Sequence, residues 1–297
     1  MKYTNKLRNM SKALADMGTD VLPNVGCAFI GLSEVENHKV LDALVDQAPL
    51  KARNMKYVHI EGPDRRGIDC ALLYNPSLFS VKNVKLLPYV QELAKDSAFF
   101  TRGFLTVRGE MAGDDVAVIV CHWPSRFSGP FYRESAARQV KVIKDSLLNV
   151  NQEMKIFVMG DMNDDPVNKS MHVYLQAKPE ISQVGAGDMY NPWYNVLAKE
   201  GKGGTVVEVV DSEGLSEVGS SSNKVAELTR LGFSPSGGGT ALRLGPVGRS
   251  RSTAVQVLVG SGQRSDEVAN VEVEVLGRLI STKRTKENDG LISKVWT

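Results

Sequence analysis

What this chain has little of narrows its reading first. Among 297 residues there are three cysteines, Cys27, Cys70 and Cys121. Each lies in an apolar run that reads as a strand, and their spacing forms neither a disulfide framework nor a metal knuckle, so free buried thiols are expected. Long apolar runs are missing as well. No segment approaches the ~20 apolar residues that span a bilayer. The opening Met1-Lys2-Tyr3-Thr4-Asn5-Lys6-Leu7 also lacks the apolar stretch of a secretory signal. The expectation is a chain with no membrane span that stays in the cytoplasm. An excess of one charge is absent too: 36 Lys and Arg against 34 Asp and Glu leave a formal net charge of +2. Bulk electrostatics therefore gives no argument for nucleic-acid binding, although a local basic strip is compatible with that balance. Histidine is scarce, at four residues, and beyond about Gly201 neither His nor Cys occurs, with Phe233 and Trp296 the only aromatics there.

The length suits one large domain or two smaller ones. Leu7, Met10, Leu14 and Met17 recur at helical spacing, and Gly18 follows where a left-handed cap is expected. The apolar run Val25 to Ile30 reads as a strand, followed by a polar loop around Glu34. A helix through Val40, Leu41, Leu44 and Val45 then stops before Pro49. Ile68 to Tyr74, Phe104 to Val107, Val116 to Cys121 and Ile156 to Met159 are short β-branched and aromatic runs bounded by turn residues, hence strands. Met111-Ala112-Gly113-Asp114-Asp115 joins two of them as an antiparallel hairpin. Tyr132 to Leu148 reads as a long helix with the stripe Ala136, Val140, Ile143 and Leu147. Helices and hairpins together suggest α+β layers, with helices outside sheets. Past residue 201 Gly, Ser, Val and Arg dominate, as if a second sequence population were joined on. That stretch offers a helix over Asn223 to Leu231 capped by Gly232, and alternating strands over Ala254 to Val259 and Val271 to Val275. The expected division is 1–200 and 201–297, the latter a small α+β module or a poorly ordered tail.

Four strand ends turn abruptly polar: Gly31-Leu32-Ser33-Glu34-Val35-Glu36-Asn37, Asp64-Arg65-Arg66-Gly67-Ile68-Asp69, Cys121-His122-Trp123-Pro124-Ser125-Arg126, and Gly160-Asp161-Met162-Asn163-Asp164-Asp165-Pro166. If they converge, Glu34 suits a hard divalent cation that keeps several waters. Asp161 suits orienting or deprotonating a water, and Asn163 donating to a phosphoryl oxygen. His122 suits steadying charge that develops on the phosphate. Arg65, Arg66 and Arg126 are forks that match phosphate oxygens. Trp123 and Phe127 suit stacking on a base or sugar, or equally a place in the core. Blander readings stand beside these. Asp161 and Asn163 can cap a strand-to-loop turn, Glu34 can start a helix, and Arg65 and Arg66 can decorate a solvated turn.

Taken in order, the motifs resemble the endonuclease/exonuclease/phosphatase superfamily over about residues 5 to 200. The glutamate phrase around Glu34 is similar to its metal-binding motif. Arg66-Gly67-Ile68-Asp69-Cys70-Ala71-Leu72-Leu73-Tyr74 resembles the entry to its next strand. His122-Trp123-Pro124-Ser125-Arg126 is similar to the phosphate-contacting histidine loop, and Gly160-Asp161-Met162-Asn163 to the Gly-Asp-x-Asn motif. Tyr190-Asn191-Pro192-Trp193-Tyr194 is also similar to a phrase in bacterial members. The resemblance implies a four-layered α/β sandwich of two mixed sheets flanked by helices. It also implies Mg²⁺ or Mn²⁺ as cofactor, and a nucleic acid or small phosphate ester as substrate. Site residues follow: Asp161, Asn163 and His122 catalytic, Arg66 and Arg126 on substrate, Glu34 on metal. It further implies that the family's first strand is missing, leaving a neighbour's edge unpaired. The terminal Ser-Asp-His motif is missing too, its nearest string being Ser265-Asp266-Glu267. Two functional readings result, a divalent-metal phosphoesterase and a catalytically impaired relative that binds phosphate-bearing ligands or a partner without turnover.

Overall fold

A computed structural model describes residues 2–92 and 100–194, with the backbone of 255–260, 280–281 and 294–296. Helix α1 (Lys2–Asp16) opens the chain, and its Leu7, Met10 and Leu14 are buried as the spacing predicts. Gly18 follows at φ +69. The expected strand over Val25 to Ile30 is displaced. Val25 and Gly26 both donate backbone N–H groups to Leu22 O and close a turn. Strand β1 instead runs Phe29–Val35, because its extent is set by pairing with β3 (Asp69–Tyr74) rather than by the apolar run. Cys27 therefore lies ahead of the strand, while Cys70 and Cys121 lie within strands and are buried. All three are free thiols.

After β1 come α2 (His38–Val45), the short α3 (Ala48–Lys51) and β2 (Lys56–His59), which pairs with β3. Asn37 caps α2 by accepting from Val40 N at 3.2 Å. Beyond β3, β4 (Phe79–Leu87) and β5 (Phe104–Met111) pair antiparallel, and β5 turns into β6 (Asp114–His122) through Ala112-Gly113. Those two residues sit at φ +54 and +92, the left-handed pair of a type I′ hairpin. Helix α4 (Pro130–Val150) then crosses over to β7 (Lys155–Asp161), which lies parallel to β6. Short strands β8 (Ala177–Lys178) and β9 (Met189–Tyr190) follow.

The strands form two sheets. One orders β11 (Ile280–Ser281), β12 (Lys294–Trp296), β1, β3, β2; the other orders β4, β5, β6, β7, β10 (Val255–Gly260), β9, β8. Every pairing in the first is antiparallel, and β6–β7 and β8–β9 are the parallel pairs of the second. The resemblance implied an unpaired edge; in the fold β12 pairs with β1 and β10 with β7. The strand expected over Ala254 to Val259 is β10. The chain divides into two compact units, 1–204 with 253–297, and 205–252. The second unit lies outside the described residues. So do the expected helix over 223–231 and the expected strand over 271–275.

Period-two alternation builds the layers. Along β6, Val116, Val118 and Val120 pack with Leu105, Val107, Phe157, Met159 and, from β3, Cys70 and Leu72 in the core between the sheets. Ala117, Ile119 and Cys121 point the other way, onto Ala136, Ala137 and Val140 of α4. Along β3, Ala71 and Leu73 join Ile30 and Leu32 under the buried faces of α1 and α2. Helix, sheet, sheet and helix thus enclose three apolar cores, the four-layered α/β sandwich within the α+β class. Among the described residues no helix is long and apolar enough to cross a membrane.

Candidate active site

Parity and register bring the polar strand ends together. His122 shares parity with Val118 and Val120, and Asp161 with Phe157 and Met159, so both point between the sheets at the same sheet edge. They are direct register partners in the parallel pair, with His122 Nε2 3.9 Å from Asp161 Oδ2 and both side chains buried. Gly160 makes that approach possible. Its φ is +127, and a Cβ there would stand 2.0 Å from Cys121 O.

The loop after β7 is wound tightly. Asn163 adopts φ +52, its backbone N–H donates to Asp161 Oδ1 at 3.0 Å, and its Nδ2 donates to Trp123 O at 2.9 Å. Trp123 N in turn donates to Asp161 O at 2.9 Å. The same Trp123 carbonyl accepts from Arg102 Nη2 at 3.0 Å, while Arg102 Nη1 holds Asp64 Oδ2 at 2.8 Å. One main-chain oxygen therefore joins three chain segments: the loop before β3, the run ahead of β5, and the turn after β7. Arg102 and Asp64 are both buried. Their pairing is compensated by geometry, since a buried guanidinium left without partners would be costly.

Glu34 sits in a β-bulge. Register slips between Ser33 and Val35, and Glu34 takes φ +58 as the extra residue. The slip resets parity, so Val35 packs with Ile30 and Leu32 in the helix-side core. The helix-start reading of Glu34 falls away, because Asn37 caps α2. Ser33 Oγ lies 3.4 Å from Cys121 O, which ties the end of β1 across the sheets to the end of β6. Lys6 of α1 stands near enough to feel Glu34: burial lowers its ammonium from the ordinary value, and the carboxylate opposes that shift.

The arginines divide. Arg126 donates Nε to Asn163 O at 3.0 Å and Nη2 to Asp165 Oδ2 at 2.6 Å, fastening the histidine loop to the Asp161–Asn163 loop. Arg66 is exposed, with Nε 3.4 Å from Asp64 Oδ1, and Arg65 lies over the Phe100 ring at 6.0 Å. Trp123 is a core residue and Phe127 is fully exposed, which separates two aromatics that sequence alone treats alike. Asp164 is structural: it accepts from Ser170 Oγ and Asn168 Nδ2 and pairs with buried Arg133 at 2.8 Å.

Contacts that sequence reasoning passed over also build the frame. His59 Nε2 meets Asp69 Oδ2 at 3.1 Å, both buried, and Gly62 N donates to Asp69 Oδ1. Arg102 meets Asp64 across 38 positions, with no local signal. Arg133 did carry one: it lies in phase with Ala136, Ala137 and Val140, so the stripe of α4 includes a charge pointing inward.

Among the described residues no group of three or more His, Cys, Asp or Glu is gathered to hold a metal. Glu34 offers one hard carboxylate, the donor type and number that suits a Mg²⁺-like ion otherwise held by water and substrate phosphate.

Comparisons with known proteins bear on the family and the fold. The sequence profile of the Endonuclease/Exonuclease/phosphatase family matches residues 1–209. A search of curated proteins finds no match. Among solved structures, truncated Caenorhabditis elegans TDP2 is similar at TM-score 0.51 and 12% identity, over 98% of this chain and 90% of that one. D. rerio TDP2 complexed with a single-strand DNA product is similar at TM-score 0.50 and 13% identity, with the same coverages. The human Nocturnin catalytic domain aligns at TM-score 0.47 and 12% identity, over 98% of this chain and 85% of that one.

Proposed function

Because the chain belongs to the endonuclease/exonuclease/phosphatase family, a class of phosphoric ester hydrolases, we infer that it hydrolyses a phosphodiester in a nuclease-like reaction assisted by Mg²⁺ or Mn²⁺. The observation that carries this reading is the register pairing of His122 with Asp161 beside the Asn163 turn. The single-strand DNA product bound by D. rerio TDP2 supports a nucleic-acid substrate over a phosphomonoester.

Glu34 would hold the ion, which when bound supplies Lewis-acid polarisation of a phosphoryl oxygen. The rest falls to the protein's own groups. Asp161 Oδ1 accepts the Asn163 N–H, which orients the carboxylate toward a water attacking phosphorus. As the new P–O bond forms, the water proton passes to that carboxylate and the ester P–O bond breaks with departure of its alkoxide. His122 donates to the phosphoryl oxygen on which charge accumulates. The Asn163 amide, set in place by its hydrogen bond to Trp123 O, is the donor to phosphate. Arg126 acts through position, since it fastens the loop that carries Asn163. Arg66, exposed on the loop before β3, meets a phosphate of the substrate.

The test is hydrolysis of plasmid DNA and of a bis-aryl phosphate by the purified full chain. Activity should require Mg²⁺ or Mn²⁺, disappear with chelator, and fall about 10²–10⁴-fold in Asp161→Ala. Equal rates for wild type and Asp161→Ala would overturn the reading. The second reading, phosphate binding without turnover, is favoured by one sequence fact: no histidine follows His172, and the nearest string to the family's Ser-Asp-His is Ser265-Asp266-Glu267. Metal-dependent binding with no turnover would select it.

A further inference from the structure

Two phenylalanines stand in solvent around the strand-end cluster. Phe127 is 101% exposed and Phe100 is 55% exposed. Single exposed apolar residues are ordinary on protein surfaces, but the mounting of Phe127 is not. Ser128 N donates to Ser125 O and Gly129 N to Arg126 O, closing the turn on both sides of the ring. Buried Arg133 donates Nη1 to both Ser125 O and Gly129 O at 3.0 Å. The neighbouring Arg126 is pinned to Asn163 O and Asp165. A turn held at this many points keeps the ring from folding back onto protein. Through Arg126, it also seats the ring beside the loop that carries Asp161.

The loop before β3 presents the complementary chemistry. Arg65 lies over the Phe100 ring, Arg66 is exposed, and Arg102 clamps this loop to the Trp123 carbonyl directly after His122. Exposed rings and guanidinium groups thus stand on loops that Arg126 and Arg102 fasten to the segments carrying Asn163 and His122. Rings offer faces to bases, and guanidinium forks match phosphates. A duplex keeps its base faces stacked inside, and a small ester reaches His122 and Asp161 with no use for a ring beyond them. An unpaired strand uses both.

We propose that this site takes single-stranded nucleic acid, with a base stacked on Phe127 and flanking phosphates held by Arg65 and Arg66. The proposal rests on the hydrolase reading in using the same strand-end cluster. The test is binding of a nuclease-resistant phosphorothioate oligonucleotide carrying 2-aminopurine to the full chain. Its fluorescence should fall on binding, Phe127→Ala should weaken binding about tenfold or more, and Phe127→Trp should restore it. An abasic strand of the same length should bind wild type more weakly and be indifferent to Phe127→Ala. Melting temperatures of both variants should match wild type, because the ring is wholly exposed. Unchanged affinity in Phe127→Ala, or equal binding of abasic and base-bearing strands by wild type, overturns the proposal. Turnover of a bis-aryl phosphate without Phe127-dependent strand binding overturns it while leaving the hydrolase reading intact. Phe127-dependent binding without turnover supports it and removes the hydrolase reading instead.

Discussion

At residue 160 the backbone takes φ +127, and its neighbour's carbonyl occupies the space of a side chain. Gly160→Ala should destabilise the fold by about 2–5 kcal/mol through backbone strain and forced displacement, read as a lower urea midpoint. The cysteines make a second test. Burial pushes the Cys70 thiol up to about 12, Cys121 well above its ordinary value, and Cys27 up to about 11. A thiol at that value is thiolate to about one part in a thousand at pH 8, so iodoacetamide should modify Cys27 roughly 100-fold more slowly than in the unfolded chain. Cys70 and Cys121 should be unmodified until denaturant is added, as peptide mass spectrometry would show. At this scale the sequence was legible where chemistry is local. Glu34, His122, Asp161 and Asn163 stand out as candidates because polar side chains interrupt apolar strands at their ends. Arg102 gave no such sign, and although Asp64 stands in one of the polar phrases, its partner did not show, because the pairing is a contact between distant segments.

Among elements, the β5–β6 hairpin could be read directly, because Ala112-Gly113 between alternating runs is turn chemistry. The start of β1 could not. Val25 and Gly26 are apolar and small enough for a strand, but they close a turn, and the bulge at Glu34 depends on where β3 pairs. The hairpin is fastened to the turn after α4 by a charged knot. Arg108 donates Nε to Asp115 Oδ1 at 3.0 Å and Nη2 to Asp115 Oδ2, and Asn151 donates to Asp115 Oδ2. The Arg108 hydrogen bond holds the Asp115 carboxyl below its ordinary value of 3.8. A carboxyl depressed in the folded state stabilises above its unfolded value and loses that contribution as pH falls through the folded one. Asp115→Asn should therefore cost about 1 kcal/mol at pH 7 after solvent screening. The difference from wild type should shrink as pH falls from the ordinary carboxyl value through the lower folded one, as urea unfolding at pH 7 and in acid would show.

Across the whole molecule, stability rests on the core between the sheets, where Leu72 packs with Val107, Val118, Val120 and Phe157. Leu72→Ala should cost about 2–5 kcal/mol, read as loss of thermal stability. Both faces of β3 and β6 are buried, which is why their apolar runs look continuous in sequence and yet divide cleanly between two cores. That polar strand ends meet was inferable as a hypothesis from motif order; the parallel register of β6 and β7 sets His122 beside Asp161, and Ser33 reaches Cys121 O across the sheets. A last consequence concerns how such a site withstands mutation. The oxygen on which Arg102 and Asn163 converge belongs to the main chain at position 123, and every amino acid carries one. Exchanging the indole for another ring alters what fills the space beneath, yet the acceptor survives. Evolutionary drift can loosen this knot at the two donors, and hardly at all at the point where they meet.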